Sequence, residues 1–207
     1  MKKRFLITTP LEDTWPEDTQ PVLFLGEWCR LYSRKHHWEK MDAEIVPYHW
    51  DDRAKLYEDY NYLNDLSERL LVLLSSELNK IHGIDYTPRY WRILIGPWLI
   101  VFLSILYDRW MSVNTAISLF PISGTKVLDA GELNLIPQSM EDFSNYAKSD
   151  LWNHGIYSSI LKYLDFNCIS TIKPSKEIAN KLITPSSSSG DMSYIKEIIS
   201  IVASFFS

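Results

Sequence analysis

The stretch Pro21–Arg53, PVLFLGEWCRLYSRKHHWEKMDAEIVPYHWDDR, holds two short apolar runs that both end in polar and aromatic side chains. Val22–Leu25 runs into Gly-Glu-Trp-Cys-Arg, and Ala43–Val46 leads to Tyr-His-Trp-Asp-Asp-Arg. Short apolar runs bounded by turn signals are typical of buried strands, and ligands of open α/β sheets bind beside the carboxyl ends of such strands. The stretch therefore predicts an α/β sheet with a ligand site at its carboxyl edge. The alternative is that these polar residues only begin and cap helices.

Segments on either side of this stretch extend the predicted sheet and supply its helices. Arg4–Thr8 and Thr125–Ala130 read as further strands, and Glu27–Trp38 as a short helix. From Asp51 to Ile81 leucines recur at threes and fours, which indicates a long helix. Further helices are predicted at 88–120 and, in one or two pieces, at 142–164. Together these elements predict an α/β Rossmann-like three-layer domain, in which long helices cover a small, mostly parallel sheet of three or four strands.

The most apolar part of the chain is Ile93–Tyr107, fifteen uncharged residues between Arg92 and Asp108. A membrane span needs about 20 predominantly apolar residues, and Gly96-Pro97 interrupts this run. We therefore interpret the segment as a buried, kinked core helix, with insertion into a membrane as the alternative.

Composition and cysteine spacing limit the function classes and the compartment. The 207 residues carry a net charge of −5, which argues against a general nucleic-acid binder, because such proteins need a basic face. Cys29 and Cys168 are far apart and form neither a metal motif nor a disulfide framework. The apolar run at the amino terminus is too short for a signal peptide. These features favour a cytoplasmic protein.

The sequence has no P-loop, GxGxxG, HExxH or GxSxG motif, so we expect no bound cofactor and no metal. His49 is the best candidate for a general base, because Asp51 and Asp52 follow it closely and a carboxylate can fix a histidine tautomer. We predict these three residues and Glu27 as catalytic. The structural alternatives are an N-cap role for Asp51 or Asp52 and a first-turn position for Glu27.

Arginine and tryptophan side chains near the same segments are the candidates for substrate binding. A guanidinium group pairs with phosphate or carboxylate and stacks on rings, which suits carbohydrate and phosphate recognition. The alternative is that these residues lie at helix ends and pair with neighbouring carboxylates. The predicted substrate-binding residues are Trp28, Arg30, Trp50, Arg53, Arg89, Arg92, Asp108 and Arg109.

Four motifs carry a resemblance to a known family. At LFLGEWCRLYSRKHHW, VPYHWDDR, LNKIHGIDYTPRYWRILIGPW and LYDRW the sequence resembles bacterial transferases encoded among O-antigen and other surface-polysaccharide biosynthesis genes. The resemblance covers most of residues 4–165. It implies a glycosyltransferase-like activity in surface-carbohydrate assembly, acting on a nucleotide sugar or a carbohydrate acceptor. It also implies the first domain of a two-domain enzyme, and it assigns no catalytic residue.

Members of that family are longer chains, so we expect this chain to be an amino-terminal portion that lacks a C-terminal domain and is incomplete as a catalyst. The predicted organisation is a Rossmann-like domain over 1–165, a flexible Ser-rich linker over 166–191 and the apolar helix of a truncated second region over 192–207. The alternative function is a non-catalytic binding or assembly module of envelope polysaccharide synthesis. Such a module would contact the membrane peripherally or bind envelope-synthesis partners.

Overall fold

The computed structural model describes residues 2–129, 137, 139–176, 178 and 204–206. The chain divides into two compact units. Unit 1 comprises Met1–Tyr48 and Arg109–Ser207, and unit 2 is the continuous segment His49–Asp108. Unit 1 holds the sheet, whereas unit 2 is helical.

In the described part of unit 1, five parallel strands form a sheet in the order β3-β2-β1-β4-β5. The β1 and β2 strands are buried at every position, which explains their apolar character, whereas β4 is buried at three of its seven positions. Leu6 in β1 aligns with Leu23 in β2 and with Thr125 in β4. This arrangement confirms the predicted Rossmann-like α/β fold. The strands are β1 (Arg4–Ile7), β2 (Val22–Phe24), β3 (Ala43–Ile45), β4 (Ile122–Leu128) and β5 (Ile169–Ile172).

The β5 strand lies inside the segment predicted as a linker, and it pairs with β4 from Thr125↔Ile169 to Leu128↔Ile172. The sheet therefore extends past residue 165, where we predicted the domain to end. A four-residue strand at the sheet edge has too few positions to show a periodic pattern. The Ser-rich part of the predicted linker and nearly all of the predicted apolar helix at 192–207 lie outside the described residues.

The predicted helix over Glu27–Trp38 is wrong for most of its length. Two 3-10 turns, Glu27–Cys29 and Tyr32–Arg34, precede a single α-helical turn, α1 (Lys35–Trp38). Leu31 separates the turns with an extended backbone (φ −61°, ψ 126°). Its carbonyl oxygen accepts a hydrogen bond from Trp38 Nε1 at 3.0 Å. The same oxygen also accepts the Arg34 amide hydrogen at 2.9 Å, which is the bond of a 3-10 turn.

Two helices of unit 1 lie where one broken helix was predicted. The first, α4 (Met140–Tyr146), begins at Ser139, whose hydroxyl accepts a hydrogen bond from the Asp142 amide at 3.0 Å. The second, α5 (Asp150–Tyr163), buries Trp152, Ile156 and Ile160. Of the two predicted possibilities, the one with two pieces is confirmed, and the break lies over residues 147–149.

Unit 2 contains α2 (Arg53–His82) and most of α3 (Pro88–Leu119). Asp52 caps α2: its Oδ1 accepts hydrogen bonds from the amides of Ala54 at 2.9 Å and Lys55 at 3.3 Å. Gly83 ends the helix with a left-handed backbone, φ 63°, which glycine adopts without steric cost. Both predicted ends of α2 are confirmed, and so is the capping role that competed with catalysis at Asp52.

The turn between the two long helices is held by one side chain. Asn79 Nδ2 donates to the carbonyl of Tyr86 at 2.8 Å, and Asn79 Oδ1 accepts from Trp91 Nε1 at 2.9 Å and from the Tyr86 amide at 3.2 Å. These bonds join the end of α2 to the start of α3. They satisfy polar groups that the turn leaves without helical partners.

By length and composition α3 could cross a membrane, but only 28% of its most apolar 18 residues is buried within the structure. Leu99 and Leu103 are buried, whereas Ile93, Leu94 and Val101 are exposed. The interpretation of α3 as a core helix buried all round is therefore wrong for one face. Within unit 2, whose residues are all described, α2 is the one other long helix, and a single neighbour covers only one face.

Candidate functional site

The strand order reverses between β1 and β4, because the chain proceeds from β1 towards β2 and β3 on one side and returns to β4 on the other. Ligands of open α/β sheets bind at such a reversal, outside the carboxyl ends of the strands. Thr8 and Thr9 directly follow β1, and Asp129 directly follows β4. The topology thus adds the end of β1 to the edge that the sequence had located after β2 and β3.

A buried histidine lies behind this edge. The His154 imidazole, on α5, has Nδ1 at 3.5 Å from Thr8 Oγ1 and 3.4 Å from Thr9 Oγ1. The amide of Leu128, at the end of β4, donates to His154 Nε2 at 3.1 Å. We call these four residues the His154 cluster. It joins the ends of β1 and β4 to α5.

The bonding of the cluster determines its protonation. Because Nε2 of His154 accepts the Leu128 amide hydrogen, the neutral ring carries its own hydrogen on Nδ1, which faces the two threonine hydroxyls. Burial lowers the pKa of His154 to about 4. The ring is therefore neutral at pH 7 and has no lone pair left for a substrate proton. We conclude that His154 positions its neighbours and is not a base.

An aromatic pair lies beside the cluster. Trp28 stacks on Tyr157 with ring centroids 6.4 Å apart and an interplanar angle of 4°, and Trp28 Nε1 donates to the Thr8 carbonyl at 3.1 Å. A Cβ on Gly26 would lie 2.2 Å from the Trp28 ring, so only glycine leaves room for the indole there. The observed position of the Trp28 ring therefore requires glycine at position 26.

Arg30 is a positively charged residue near the carboxyl end of β2. Its Nη2 donates to Glu27 Oε2 at 2.5 Å, and its guanidinium carbon lies 5.0 Å from the centroid of the Trp38 ring. Its Nε is buried and, among the described residues, has no hydrogen-bond partner. A buried donor without a partner is unfavourable by about 1–3 kcal/mol. Arg30 is therefore the described residue at this edge with unused capacity to bind an anion.

Two other titratable groups near the GEWCR motif differ in their chemistry. Cys29 is buried beneath β1, with its Sγ 3.4 Å from the Ile7 carbonyl, and burial raises the pKa of its thiol to about 12. It is a structural thiol and not a nucleophile. Asp150, the first residue of α5, has an exposed surface, yet partial desolvation of its carboxyl group raises its pKa above the usual value. A carboxyl group with a raised pKa at a ligand edge is a candidate acid.

In unit 2, the predicted base has a carboxylate partner. His49 Nε2 lies 3.2 Å from Asp108 Oδ1, and both side chains are over 90% buried. The sequence separates them by 59 positions, and both were predicted as site residues. With Nε2–H donated to Asp108, the imidazole carries its lone pair on Nδ1, the arrangement of a histidine base oriented by a carboxylate.

A second buried carboxylate lies close to this pair. Asp59 accepts hydrogen bonds from Lys55 Nζ at 2.9 and 3.0 Å, from Trp50 Nε1 at 2.9 Å and from the Tyr107 hydroxyl at 2.7 Å. We call these four residues the Asp59 cluster. Burial by itself raises the pKa of Asp59, but the hydrogen bonds from Lys55, Tyr107 and Trp50 outweigh it, so the pKa is below the usual value.

The remaining predicted residues have separate locations. Asp51 ends a 3-10 turn, and Arg53 is the first residue of α2; both are exposed. Arg109, in unit 1, donates from Nε to Asn153 Oδ1 at 3.1 Å. Each of these side chains is thus placed by its own local structure.

Arg89 and Arg92 lie at the start of α3, whereas Asp108 lies sixteen residues beyond Arg92 in the same helix. At about 1.5 Å per residue this separation is on the order of 24 Å. Arg92 forms an exposed ion pair with Glu68 of α2. These two arginines therefore lie far along α3 from the His49–Asp108 pair.

The sequence alone places Thr8 and Thr9 at the carboxyl edge of the sheet, but it did not select them as site residues and it did not identify His154 or Tyr157. His154 and Tyr157 are on a helix 146 or more positions beyond Thr8, and no motif links the two segments. The available signal was the polar Thr8-Thr9 pair directly after an apolar strand. That signal becomes specific only when the strand order shows where the sheet reverses.

Within the described residues, no group of three or more His, Cys, Asp or Glu side chains is arranged to hold a metal ion. Comparison with known proteins gives one match. A family model described as LIC12162 family transferase matches residues 4–207. No curated protein and no solved structure matches the chain.

Proposed function

Because the chain belongs to the LIC12162 family of transferases, we propose that it acts in the transfer of a sugar or related group during the assembly of bacterial surface carbohydrate, including O-antigen. The proposal makes it a glycosyltransferase-like protein whose donor is a nucleotide sugar. The location proposed for it is the cytoplasm, in keeping with two distant cysteines that offer no disulfide framework.

The observation that carries the proposal is Arg30 at the carboxyl end of β2. Its guanidinium group is oriented by Glu27 and Trp38, and its buried Nε has a hydrogen left to donate. A nucleotide sugar carries phosphate oxygens, which are strong acceptors for an arginine fork. Trp28 is half-buried, with one face of its indole stacked on Tyr157 and its Nε1 bonded to the Thr8 carbonyl. Its other face is the one proposed to contact a sugar ring.

Within unit 2, and independently of the Arg30 site in unit 1, we propose the His49–Asp108 pair as the base of such a transfer. In the proposed step, Nδ1 of His49 takes the proton of an acceptor hydroxyl. The acceptor oxygen forms a bond to the anomeric carbon of the donor, and the bond from that carbon to the phosphate oxygen breaks. The leaving phosphate keeps the electron pair. Asp108 stabilises the imidazolium that forms, as a buried carboxylate does for a histidine base.

The binding half of the proposal is tested by titrating the purified chain with a panel of nucleotide sugars and following heat or thermal shift. We expect saturable binding of at least one member of the panel. Arg30→Gln should weaken it at least about tenfold, because a charge-assisted bond contributes about 1.5–3 kcal/mol. Arg34→Gln is the matched control, since Arg34 is exposed and paired with Glu12 at 2.8 and 2.5 Å. Equal losses in both variants, or no binding by the wild type, contradict the proposal.

The catalytic half is tested by transfer to a lipid-linked or protein-linked acceptor. His49→Ala should reduce kcat by at least about a hundredfold, the usual contribution of a general base. Asp108→Asn should lower it less and shift the pH profile of the rate. Arg53→Ala tests the exposed arginine that was predicted to bind substrate. Unchanged transfer in both His49→Ala and Arg53→Ala overturns the assignment of the YHWDDR motif to the reaction.

A second candidate is a non-catalytic binding or assembly module of envelope polysaccharide synthesis. One observation favours it: Thr8, Thr9 and His154 are all buried and already bonded to one another, as in a structural network. Absence of nucleotide-sugar binding in the titration, together with a normally folded chain, would select this candidate.

A further inference from the structure

One face of α3 is apolar and exposed over three turns. Tyr90, Ile93, Leu94, Pro97 and Val101 recur at threes and fours and so share one side of the helix. Ile93 is 71% exposed, Leu94 56% and Val101 42%. We call these five residues the α3 stripe. Single exposed apolar residues are ordinary, but a continuous row of them marks an interaction surface.

The outward face of α2 differs from the stripe, because charged side chains interrupt its exposed apolar residues. Its exposed residues include Glu58, Asp65, Arg69 and Lys80. The two helices have similar lengths, 30 and 32 residues. The exposed apolar residues of α2 lie among charged ones, whereas residues 93–107 of α3 carry no charge. Those apolar residues of α2 are Tyr57, Tyr60, Val72, Leu73 and Ile81. A partner that covers the α3 stripe therefore does not need to cover α2.

The border of the stripe is aromatic and basic. Tyr86 lies 4.2 Å from Tyr90, centroid to centroid, and both rings are exposed. The basic side chains near the stripe are Lys80, Arg89 and Arg92. Lys80 and Arg92 form ion pairs with Glu77 and Glu68 of α2, so Arg89 is the cation that we consider for contact with an anionic partner. Residues 93–107 carry no charge. Apolar surface bordered by tyrosine and arginine matches the order of acyl chain, interface and headgroup in a bilayer.

We propose that the α3 stripe docks the protein on the surface of a membrane that contains anionic lipid. Ile93, Leu94, Pro97 and Val101 enter the boundary between headgroups and acyl chains, the tyrosines lie at the interface, and Arg89 meets lipid phosphate. Amphipathic helices bind membranes in this way, with the apolar face buried about 5–10 Å deep. This proposal is independent of the transferase chemistry, since it uses no residue of either candidate site.

The hairpin lies on the membrane and does not span it. A spanning α3 would bring α2 into the hydrocarbon, because Tyr107 of α3 bonds Asp59 of α2 and Trp91 of α3 bonds Asn79 of α2. Charged side chains on α2 would then face lipid, at about 2.5–3.5 kcal/mol each. Contact along one face of α3 leaves these charges in water.

The test is co-sedimentation of the full chain with vesicles of phosphatidylcholine alone and of phosphatidylcholine with phosphatidylglycerol. We expect binding to the anionic vesicles that weakens as salt is added. Ile93→Ser with Leu94→Ser should lower the partition coefficient at least about thirtyfold, because two exposed aliphatic side chains no longer enter the bilayer. Arg89→Gln should lower it about fivefold on the anionic vesicles only.

The matched control is Val72→Ser with Leu73→Ser on α2, at 56% and 57% exposure. It should leave vesicle binding unchanged. Four results overturn the proposal: no binding to either vesicle, an equal loss in the α2 control, release from membranes by detergent alone, or a concentration-dependent dimer that the α3 double variant abolishes without any vesicle binding. Nucleotide-sugar titration of the same α3 variant should match the wild type, so failure here is distinct from failure of the proposed function.

Discussion

The His154 cluster of unit 1 keeps a buried titratable side chain neutral, whereas the Asp59 cluster of unit 2 keeps one charged. Each buries a titratable side chain among hydroxyl, amide or indole groups. In unit 1 the ring is kept neutral, because its partners are one amide donor and two hydroxyls. In unit 2 the carboxylate is kept charged, because an ammonium, a phenol and an indole all donate to it.

This difference shows that burial does not decide protonation by itself. Burial penalises the charged form of both groups, and it prevails at His154, whose pKa is about 4. At Asp59 three donors reverse the outcome and lower the pKa. The protonation state of a buried group therefore depends on the number of hydrogen-bond donors around it as much as on the extent of its burial.

The largest expected loss of stability comes from removing the carboxylate of Asp59. Asp59→Ala should lower the free energy of unfolding by about 3 kcal/mol, because Trp50 and Tyr107 lose their acceptor in a buried place. Urea denaturation followed by tryptophan fluorescence measures the loss. Asp65→Ala, an exposed position on the same helix, is the control and should change stability by less than about 0.5 kcal/mol. Similar losses at both positions would show that the Asp59 cluster contributes little.

The contributions of the two clusters to stability are expected to depend differently on pH. The folded pKa of His154 is below the ordinary value of 6.5, so its contribution to stability is complete above pH 6.5 and is lost as the pH falls towards 4. Between pH 7 and pH 4 this loss amounts to about 3 kcal/mol. The lowered pKa of Asp59 places its own loss below the usual value of 3.8, so the Asp59 cluster keeps its charge over the same range.

The measurement is urea denaturation of the wild type and of His154→Gln at pH 7 and pH 4.5. Glutamine cannot become a cation, so the variant should show a clearly smaller decrease in stability than the wild type. Parallel decreases in the two proteins would show that His154 is not the group that acid acts upon.

The smallest expected losses of stability come from removing one hydroxyl group from each cluster. Tyr107→Phe removes a 2.7 Å bond to a charged acceptor and should lower stability by about 1.5 kcal/mol. Thr9→Val removes a 3.4 Å contact to a neutral ring and should lower it by about 0.5 kcal/mol. The same denaturation assay ranks them, and the reverse order would contradict the view that the donors of unit 2 hold a charge.

The long helices could be predicted from sequence because their signals are local. Asp52, the leucine repeat and Gly83 lie within one continuous segment and specify where α2 begins, which face it buries and where it ends. The β1 and β2 strands could be predicted in the same way, since each is a short apolar run followed by polar residues. The β4 strand mixes polar and apolar residues, and it begins three residues before the predicted start at Thr125. The location of polar residues after β2 and β3 followed from the same local pattern.

The clusters could not be predicted, because their members meet only in the folded chain. Asp59 and Tyr107 are 48 positions apart, and Thr8 and His154 are 146 apart. His49 and Asp108 were each selected for local reasons, and only the structure shows that they form a pair. The segment after β2 failed as a helix for a related reason: indole groups bond backbone carbonyls there, and helix propensity does not include such bonds.

The division of the chain has a consequence for its synthesis. Unit 2 is one uninterrupted segment, so it is complete when residue 108 leaves the ribosome. The β1 strand must wait for β4, which is made more than a hundred residues later, before Leu6 can align with Thr125. Contacts of such long range form slowly. The helical hairpin is therefore expected to be folded while the centre of the sheet still has an open edge, and a chaperone that protects nascent chains would act on β1 during that interval.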